Sequence, residues 1–475
     1  MYESRFPICL LFLMWCVLSK GVKYYTLKTT SIVNGHKYEE SITQPWFRVE
    51  HAPHVKLNAS VVDDHHAPIG IIRLQVPEEF KNDDPPNKWP QPFADYLHCL
   101  DLLCLCPLYN GRTIDGRCRL PNGEWLQKAI RKEYRLLTNE ERNRYVSVLN
   151  ILKTNGIYSQ LHKIHKFNGV HSGPAFLPWH REFFKRFEIV LRYYDPNIAL
   201  PYWDSTIDNH LDDPTQSTMF SKYLLGDTNS DGEVINGPFG HWTTADGRLH
   251  ISRSFNSVEG GELFNEPRID FVMNITDVKY ILTNSLPTEN CANYTLDDRF
   301  LEFSHDYVHT FIAGDMFDRF TSGNDPILFL HHSFVDLIWE LWRKKAQTRW
   351  ERENDYPPNN INCSASYHFS DYPMPMQEPF VNKDGLSNKY TDYLYEYAPR
   401  PSCTMVDTDC HSEYLFCNTK DEYEPVCVAK VKLGGQCAGF AGQDVCYKGS
   451  CVDGYCKLKI DGIMLDQVSP MFPLM

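Results

Sequence analysis

Histidines are concentrated in two stretches of the chain. Eight of the 19 histidines lie in two windows of about 30 residues each. The first window contains His162, His165, His171 and His180, and the second contains His305, His309, His331 and His332. His305 and His309 are four residues apart, so they share one face of a helix and can bind one ion together. We therefore expect a fold that buries a metal site between helices.

The hydrophobic pattern around both windows is helical. Apolar residues recur three and four positions apart over residues 124–158, 178–194, 297–312 and 325–345. Thr138 with Glu141 three residues later is typical of a capping box, and Gly156 follows where a helix C-cap is expected. The pattern predicts a mainly α fold, in which a four-helix bundle holds the metal site within loop-rich surroundings.

The N-terminus and the overall charge restrict the class of protein. Residues 1–21 contain a 13-residue apolar run before Ser19 and Gly21, which is typical of a signal peptide. No later run approaches 18 apolar residues, so we expect no membrane span. The net charge of -14 argues against nucleic acid as a partner. The chain is predicted to be a secreted, extracellular protein.

Cysteines divide the chain into segments. Of 16 cysteines, Cys9 and Cys16 lie in the predicted signal peptide, which leaves an even set of 14. Eight of these crowd residues 401–457, with no C-x2-C pair that would favour zinc. We expect disulfides in an oxidising compartment, with the pairing open. N-x-S/T sequons at Asn58, Asn274, Asn293 and Asn362 agree with that compartment.

These features predict five segments. They are a signal peptide at 1–21, an irregular lead-in at 22–95, a metal-binding domain at 96–400, a cysteine-rich disulfide module at 401–457 and a tail at 458–475. The module or the tail could cover the metal site, and the sequence leaves this possibility open.

The candidate ligands are all imidazoles. Asp306 follows His305, where a zinc protease of the H-E-x-x-H kind needs a glutamate base. All-imidazole sites suit copper, zinc and iron. Two facing tri-histidine sites favour a copper pair that uses dioxygen as co-substrate, because neutral imidazoles stabilise both copper oxidation states.

Four motifs resemble those of a known family. The segments "LKTNGIYSQLHKIH", "HSGPAFLPWHREFFKRFE", "PYWD" and "NDPILFLHHSFVDLIWE" look like the two copper-binding signatures of tyrosinases, and "CLDLLCLC" and "HDYVH" look most like secreted invertebrate tyrosinases. The likeness covers roughly residues 95–400. It implies a helical bundle around a binuclear, type 3 copper centre with two copper ions per chain.

The resemblance also implies a ligand set. The first copper would take His165, His171 and His180, and the second would take His305, His309 and His332. His165 lies seven residues after Tyr158, where the family places its ligand; His162 is its rival one turn earlier. Of the doublet at 331 and 332, the family uses the second histidine.

Supporting residues follow from the same resemblance. Glu302 and Asp306 are candidate bases for the incoming phenol, and Asp306 stands where many tyrosinases have asparagine. Candidate groups that orient imidazoles or tie helices together are Arg181, Glu188, Asp204, Asp325 and Asp336. Gly169 stands where many relatives carry a cysteine joined to a ligand histidine, so we expect no such link.

The implied activity is phenol oxidation. A tyrosinase hydroxylates monophenols to o-diphenols and oxidises o-diphenols to o-quinones, on small phenols or tyrosyl side chains, with extracellular crosslinking or pigment formation as the outcome. A catechol oxidase that lacks the monophenol step is one alternative. A non-enzymatic oxygen-binding or matrix protein is another, although a carrier usually repeats its domain and this chain has one copy.

Overall fold

The computed structural model describes residues 23–33, 36–46, 85–86, 88–240, 242–287, 290–292, 294–421, 423–460 and 463–465. The predicted signal peptide, the sequons at Asn58 and Asn293 and most of the predicted tail lie outside these ranges. Within them, no helix has the length and apolar character needed to cross a bilayer.

Helices dominate the region between residues 139 and 354. The α-helices are α1 (Leu102–Leu105), α2 (Asn139–Thr154), α3 (Ile157–Asn168), α4 (Phe176–Tyr194), α5 (Thr206–Asn209), α6 (Glu266–Met273), α7 (Leu301–Ile312), α8 (Ile327–Ala346) and α9 (Arg349–Asn354). The predicted mainly α fold is confirmed. The predicted capping box is present, because the Thr138 hydroxyl accepts from the Glu141 amide and the Glu141 carboxylate accepts from the Thr138 amide.

Most strands are short, with three to six residues, and the first two have 11 residues each. The strands are β1 (Lys23–Val33), β2 (His36–Trp46), β3 (Arg112–Ile114), β4 (Arg117–Arg119), β5 (Ala129–Arg131), β6 (Tyr395–Tyr397), β7 (Leu415–Asn418), β8 (Val426–Ala429), β9 (Gly449–Val452), β10 (Tyr455–Ile460) and β11 (Ile463–Leu465). β5 and β6 pair in parallel, and the other paired strands are antiparallel.

Two predictions about local structure were wrong. The helical pattern predicted over residues 124–158 fails before α2, where β5 pairs with β6 instead. Arg131 on β5 is buried and holds the Glu188 carboxylate of α4 with two hydrogen bonds, and this long-range ion pair overrides the local helical pattern. The lead-in at 22–95, predicted to be irregular, contains the β1–β2 hairpin. Asn34-Gly35, a dipeptide common in tight hairpins, separates the two strands in the sequence.

Helices α4 and α8 form the centre of the core. Every residue of α4 from Phe176 to Arg192 is buried. Between the two helices, Arg181 Nε donates to Asp336 at 2.7 Å and its Nη2 donates to Glu340 at 3.1 Å. Removing one partner would leave a buried charge uncompensated, which costs several kcal/mol. This ion pair therefore fixes how the two helices lie against each other.

Seven disulfides link all 14 cysteines outside the predicted signal peptide, so the expected oxidation is confirmed. The pairs are Cys99–Cys104, Cys106–Cys118, Cys291–Cys363, Cys403–Cys417, Cys410–Cys427, Cys437–Cys451 and Cys446–Cys456. Four of them close within the cysteine-rich segment. This segment shares an apolar cluster with Ile207 and Leu211, and the Thr218 amide donates to the Lys430 carbonyl. It is therefore docked on the helical domain.

Candidate metal centre

The first group of histidines comes from two helices and the loop between them. His165 lies on α3, His180 lies on α4, and His171 lies in the connecting loop. One ring nitrogen from each of the three lies within 4.8 Å of the others, and the Nε2 atoms of His165 and His180 are 3.4 Å apart. His162 is outside this group and packs against Gly323, where an added Cβ would lie 2.6 Å from its Nδ1.

The second group combines α7 and α8. His305 and His309 are one turn apart on α7, as their spacing predicted. The Nε2 atom of His332 on α8 lies 3.1 Å from Nε2 of His305 and 3.4 Å from Nε2 of His309. Three Nε2 atoms therefore converge on one point from two helices.

His331 is the alternative to His332 as the third histidine of this second group. One of its ring nitrogens also comes within 4.8 Å of ring nitrogens of His305 and His309. Its Nε2, however, lies 3.3 Å from the backbone carbonyl of His305, and its ring stacks on the His305 ring at 5.1 Å. The rings of His309 and His332 lie 5.2 and 5.5 Å away, and those of Trp203 and Phe264 lie further off. The Nε2 atom of His331 is thus directed at backbone, whereas the Nε2 atom of His332 is directed at those of His305 and His309.

The two groups face each other across a narrow interval. The rings of His180 and His332 are stacked, with centroids 4.6 Å apart and planes 15° apart. The Phe176 ring lies 4.7 Å from His180 and 4.8 Å from His305, so it touches both groups. Phe184 lies 5.1 Å from His332. Aromatic side chains thus wall a single centre that contains six imidazoles.

The donor set fits a pair of metal ions. Nitrogens that bind one ion at about 2.0–2.1 Å lie roughly 3.3 Å from each other in tetrahedral geometry, close to the Nε2 separations of both groups. His180 Nδ1 lies 2.8 Å from the Phe176 carbonyl, and His309 Nδ1 lies 2.6 Å from the Met316 carbonyl. These carbonyls require the proton on Nδ1 and leave Nε2 as the ligand atom, as in many metal sites.

Burial keeps these imidazoles neutral. It lowers the pKa of all six below the ordinary value of 6.5. For His180 the pKa falls to about 3, and for His309 it falls to about 4, although each carbonyl contact acts in the opposite direction. Neutral imidazole is the form that binds a metal, so the site is ready for one at neutral pH.

The two predicted bases lie at the second group. Glu302 is buried; one carboxylate oxygen accepts from the Ser172 amide at 2.5 Å and the other accepts from the Ser285 hydroxyl at 2.8 Å. Burial raises the pKa of Glu302 to about 8. Asp306 Oδ1 lies 3.1 Å from His305 Nδ1, and its side chain is 32% exposed. Its pKa is also raised, by the partial loss of solvation and then by the nearby Glu302.

The predicted supporting residues form ion pairs, of which all but Arg400–Asp204 are buried on both sides. Arg181 binds Asp336, Arg131 binds Glu188, Arg253 binds Asp325, and Arg400 binds Asp204. Of the two roles that the sequence left open, these contacts support tying the helices and loops together. Three residues near the site were not predicted, namely Ser172, Ser285 and His368. Ser172 lies within a quoted motif and the other two lie outside all of them, but each acts through a tertiary contact that the sequence does not indicate.

Known proteins are similar in sequence to this chain, and a family model matches the region that contains both histidine groups. Residues 142–345 match the family model described as the common central domain of tyrosinase. A putative tyrosinase-like protein of Caenorhabditis elegans is 43% identical over 368 residues, which are 76% of this chain and 52% of that protein. The tyrosinase of Streptomyces antibioticus is 32% identical over 256 residues, which are 50% of this chain and 91% of that protein. The chain belongs to the tyrosinase family, as its motifs predicted.

The chain was also compared with the worm relative in length and with solved structures in fold. The chain spans about half the length of the worm relative. A polyphenol oxidase from Thermothelomyces thermophila aligns with a TM-score of 0.44 at 17% identity, over 66% of this chain and 99% of that one. A functional unit of octopus hemocyanin aligns with a TM-score of 0.38 at 17% identity, over 57% of this chain and 68% of that one.

Proposed function

We propose that this protein is a copper-dependent phenol oxidase with two copper ions per chain. One ion is held by His165, His171 and His180, and the other is held by His305, His309 and His332. The observation that carries the proposal is the arrangement of two groups of three neutral imidazoles, which face each other with the His180 and His332 rings 4.6 Å apart. Imidazole ligands suit copper, and membership of the tyrosinase family supports this metal.

Different residues of the site would have different roles in the reaction. A bound copper pair would supply the redox chemistry by which dioxygen oxidises a phenol. The imidazoles would hold the metals, and the apolar rings of Phe176 and Phe184 pack against these imidazoles. Asp306, partly exposed beside His305, would accept the phenolic proton, and Glu302 accepts a hydrogen bond from the Ser172 amide in the loop after His171.

The proposal also specifies which reactions the enzyme catalyses and in which compartment it acts. We propose that the enzyme oxidises o-diphenols to o-quinones and hydroxylates monophenols, with catechol oxidation alone as the alternative because Asp306 replaces the usual asparagine. Seven disulfides support an oxidising, extracellular compartment. Quinones formed there would react with amines and thiols, which leads to crosslinking or pigment.

The test is copper analysis combined with oxygen uptake on the purified full chain. We expect two coppers per chain, and oxygen consumption with both a catechol and tyrosine. Uptake with the catechol alone would assign the catechol oxidase alternative. Two coppers without turnover of either substrate would favour an oxygen-binding or matrix protein. Fewer than two coppers per folded chain would contradict the proposal.

A further inference from the structure

One buried histidine outside the two metal groups touches the loop that carries His171. His368 lies in a short turn, Ser366–His368, and is 2% exposed. Its Nδ1 accepts from the Ala175 amide at 3.4 Å, and its ring also hydrogen-bonds to the backbone of His171. Since Nδ1 is the acceptor, Nε2 is the nitrogen left to donate. The His368 ring therefore joins both ends of the loop from His171 to Ala175.

The loop conformation depends on this ring. Ser172 has a φ of +70°, a left-handed conformation that residues with a side chain seldom adopt. A Cβ added to Gly173 would lie 2.5 to 2.6 Å from three atoms of the His368 ring. The loop thus follows the surface of the imidazole closely. A strained backbone of this kind persists only when the surrounding contacts hold it.

His171 needs such support more than the other five candidate ligands. It is the one ligand of the six that lies in a loop, whereas the others lie on α3, α4, α7 and α8. Its Nδ1 has no hydrogen-bond partner among the described residues, in contrast to His180 and His309. His165 and His332 also lack one, but a helix backbone fixes their positions. The position of His171 therefore depends on how its loop is held.

We infer that His368 is a positioning residue that places His171 for metal binding. This inference rests on the proposed copper site. His368 is itself anchored, because the Tyr356 hydroxyl donates to its carbonyl at 2.8 Å and the Cys291–Cys363 disulfide ties the preceding segment to the segment before α7. On the other side of the loop, Glu302 accepts from Ser172. His171 is thus held from two sides by parts of the chain far away in sequence.

The test is the copper affinity of the metal-free protein, measured by Cu(I) titration against a chromophoric chelator. His368→Phe keeps a ring against Gly173 but removes both hydrogen bonds. We expect the affinity for one of the two coppers to fall about ten-fold or more, as for other residues that orient metal ligands, while the other copper is unchanged. His368→Gln and His368→Asn, which each restore part of the hydrogen bonding, should recover part of the affinity. His250→Phe is the matched control, because His250 also bonds to backbone carbonyls but lies away from the His171 loop.

A second variant tests the same contact if His368→Phe folds poorly. Gly173→Ala should weaken the same copper in the parent chain, because the new methyl group meets the ring, and should have little further effect when combined with His368→Ala. Equal affinities of the parent and His368→Phe for both coppers, or additive effects in the double variant, would overturn the inference. A parent chain that binds fewer than two coppers would instead contradict the proposed function.

Discussion

The rings of His180 on α4 and His332 on α8 lie parallel and 4.6 Å apart, so each metal group contributes one imidazole to a shared stack. The next residue on α4, Arg181, binds Asp336, which lies one turn after His332 on α8. The ion pair and the histidine pair therefore report the same register between the two helices. A change in that register would move the two groups of imidazoles relative to each other.

Asp336→Asn is expected to destabilise the protein by about 3–5 kcal/mol, because it leaves Arg181 and Arg131 buried with less negative charge. Denaturant unfolding measures the change. Glu396→Gln is the control, since its bridge to Lys128 is exposed and surface pairs contribute about 0–1 kcal/mol. Similar losses for the two variants would contradict the importance assigned to the buried pair.

His332→Ala is expected to remove one copper per chain and abolish oxygen uptake, because it deletes an Nε2 that lies within 3.4 Å of the Nε2 atoms of both His305 and His309. His331→Ala should keep two coppers in the folded fraction. Copper analysis of both variants, with circular dichroism to establish folding, makes the comparison. Loss of copper from the His331 variant alone would reverse the assignment.

His165→Ala is expected to lower the copper content to about one per chain, because His165 faces His180 at 3.4 Å. His162→Ala should retain both coppers, since His162 packs against Gly323 outside the group. The same copper analysis applies. A result in which only His162→Ala loses copper would show that the first metal uses the earlier turn of α3.

The copper-free protein is expected to lose stability as the pH falls below about 6.5. The pKa of His180 is near 3 and that of His309 is near 4 in the folded state, so between those values and 6.5 only the unfolded chain takes up protons at these positions. Each such histidine costs about 1.4 kcal/mol per pH unit in that range. Melting temperatures from pH 8 to pH 5 measure the effect. A flat profile would mean that these imidazoles are not buried in the neutral form.

The local features of the fold followed from the sequence. The capping box at Thr138 and Glu141 and the shared helix face of His305 and His309 depend on residues three or four positions apart, and helix geometry alone defines such pairs. The even cysteine count predicted disulfides without their pairing, because pairing depends on which distant segments meet. The pattern over residues 124–137 predicted the wrong element for the same reason: Arg131 is held by Glu188, 57 positions further along the chain.

By itself, the sequence determined a mainly helical, disulfide-linked protein with two histidine groups of the tyrosinase kind. Periodicity, spacing and motif identity are properties of short segments, so they can be read along the chain. The resemblance chose His332 over His331 and His165 over His162. The tertiary structure added where each ring points, because adjacent or near positions on a helix differ by direction, and direction has meaning only once the facing helix is in place. The contact of His368 with the His171 loop likewise depends on the tertiary structure. It joins residues almost 200 positions apart, and packing alone brings them together.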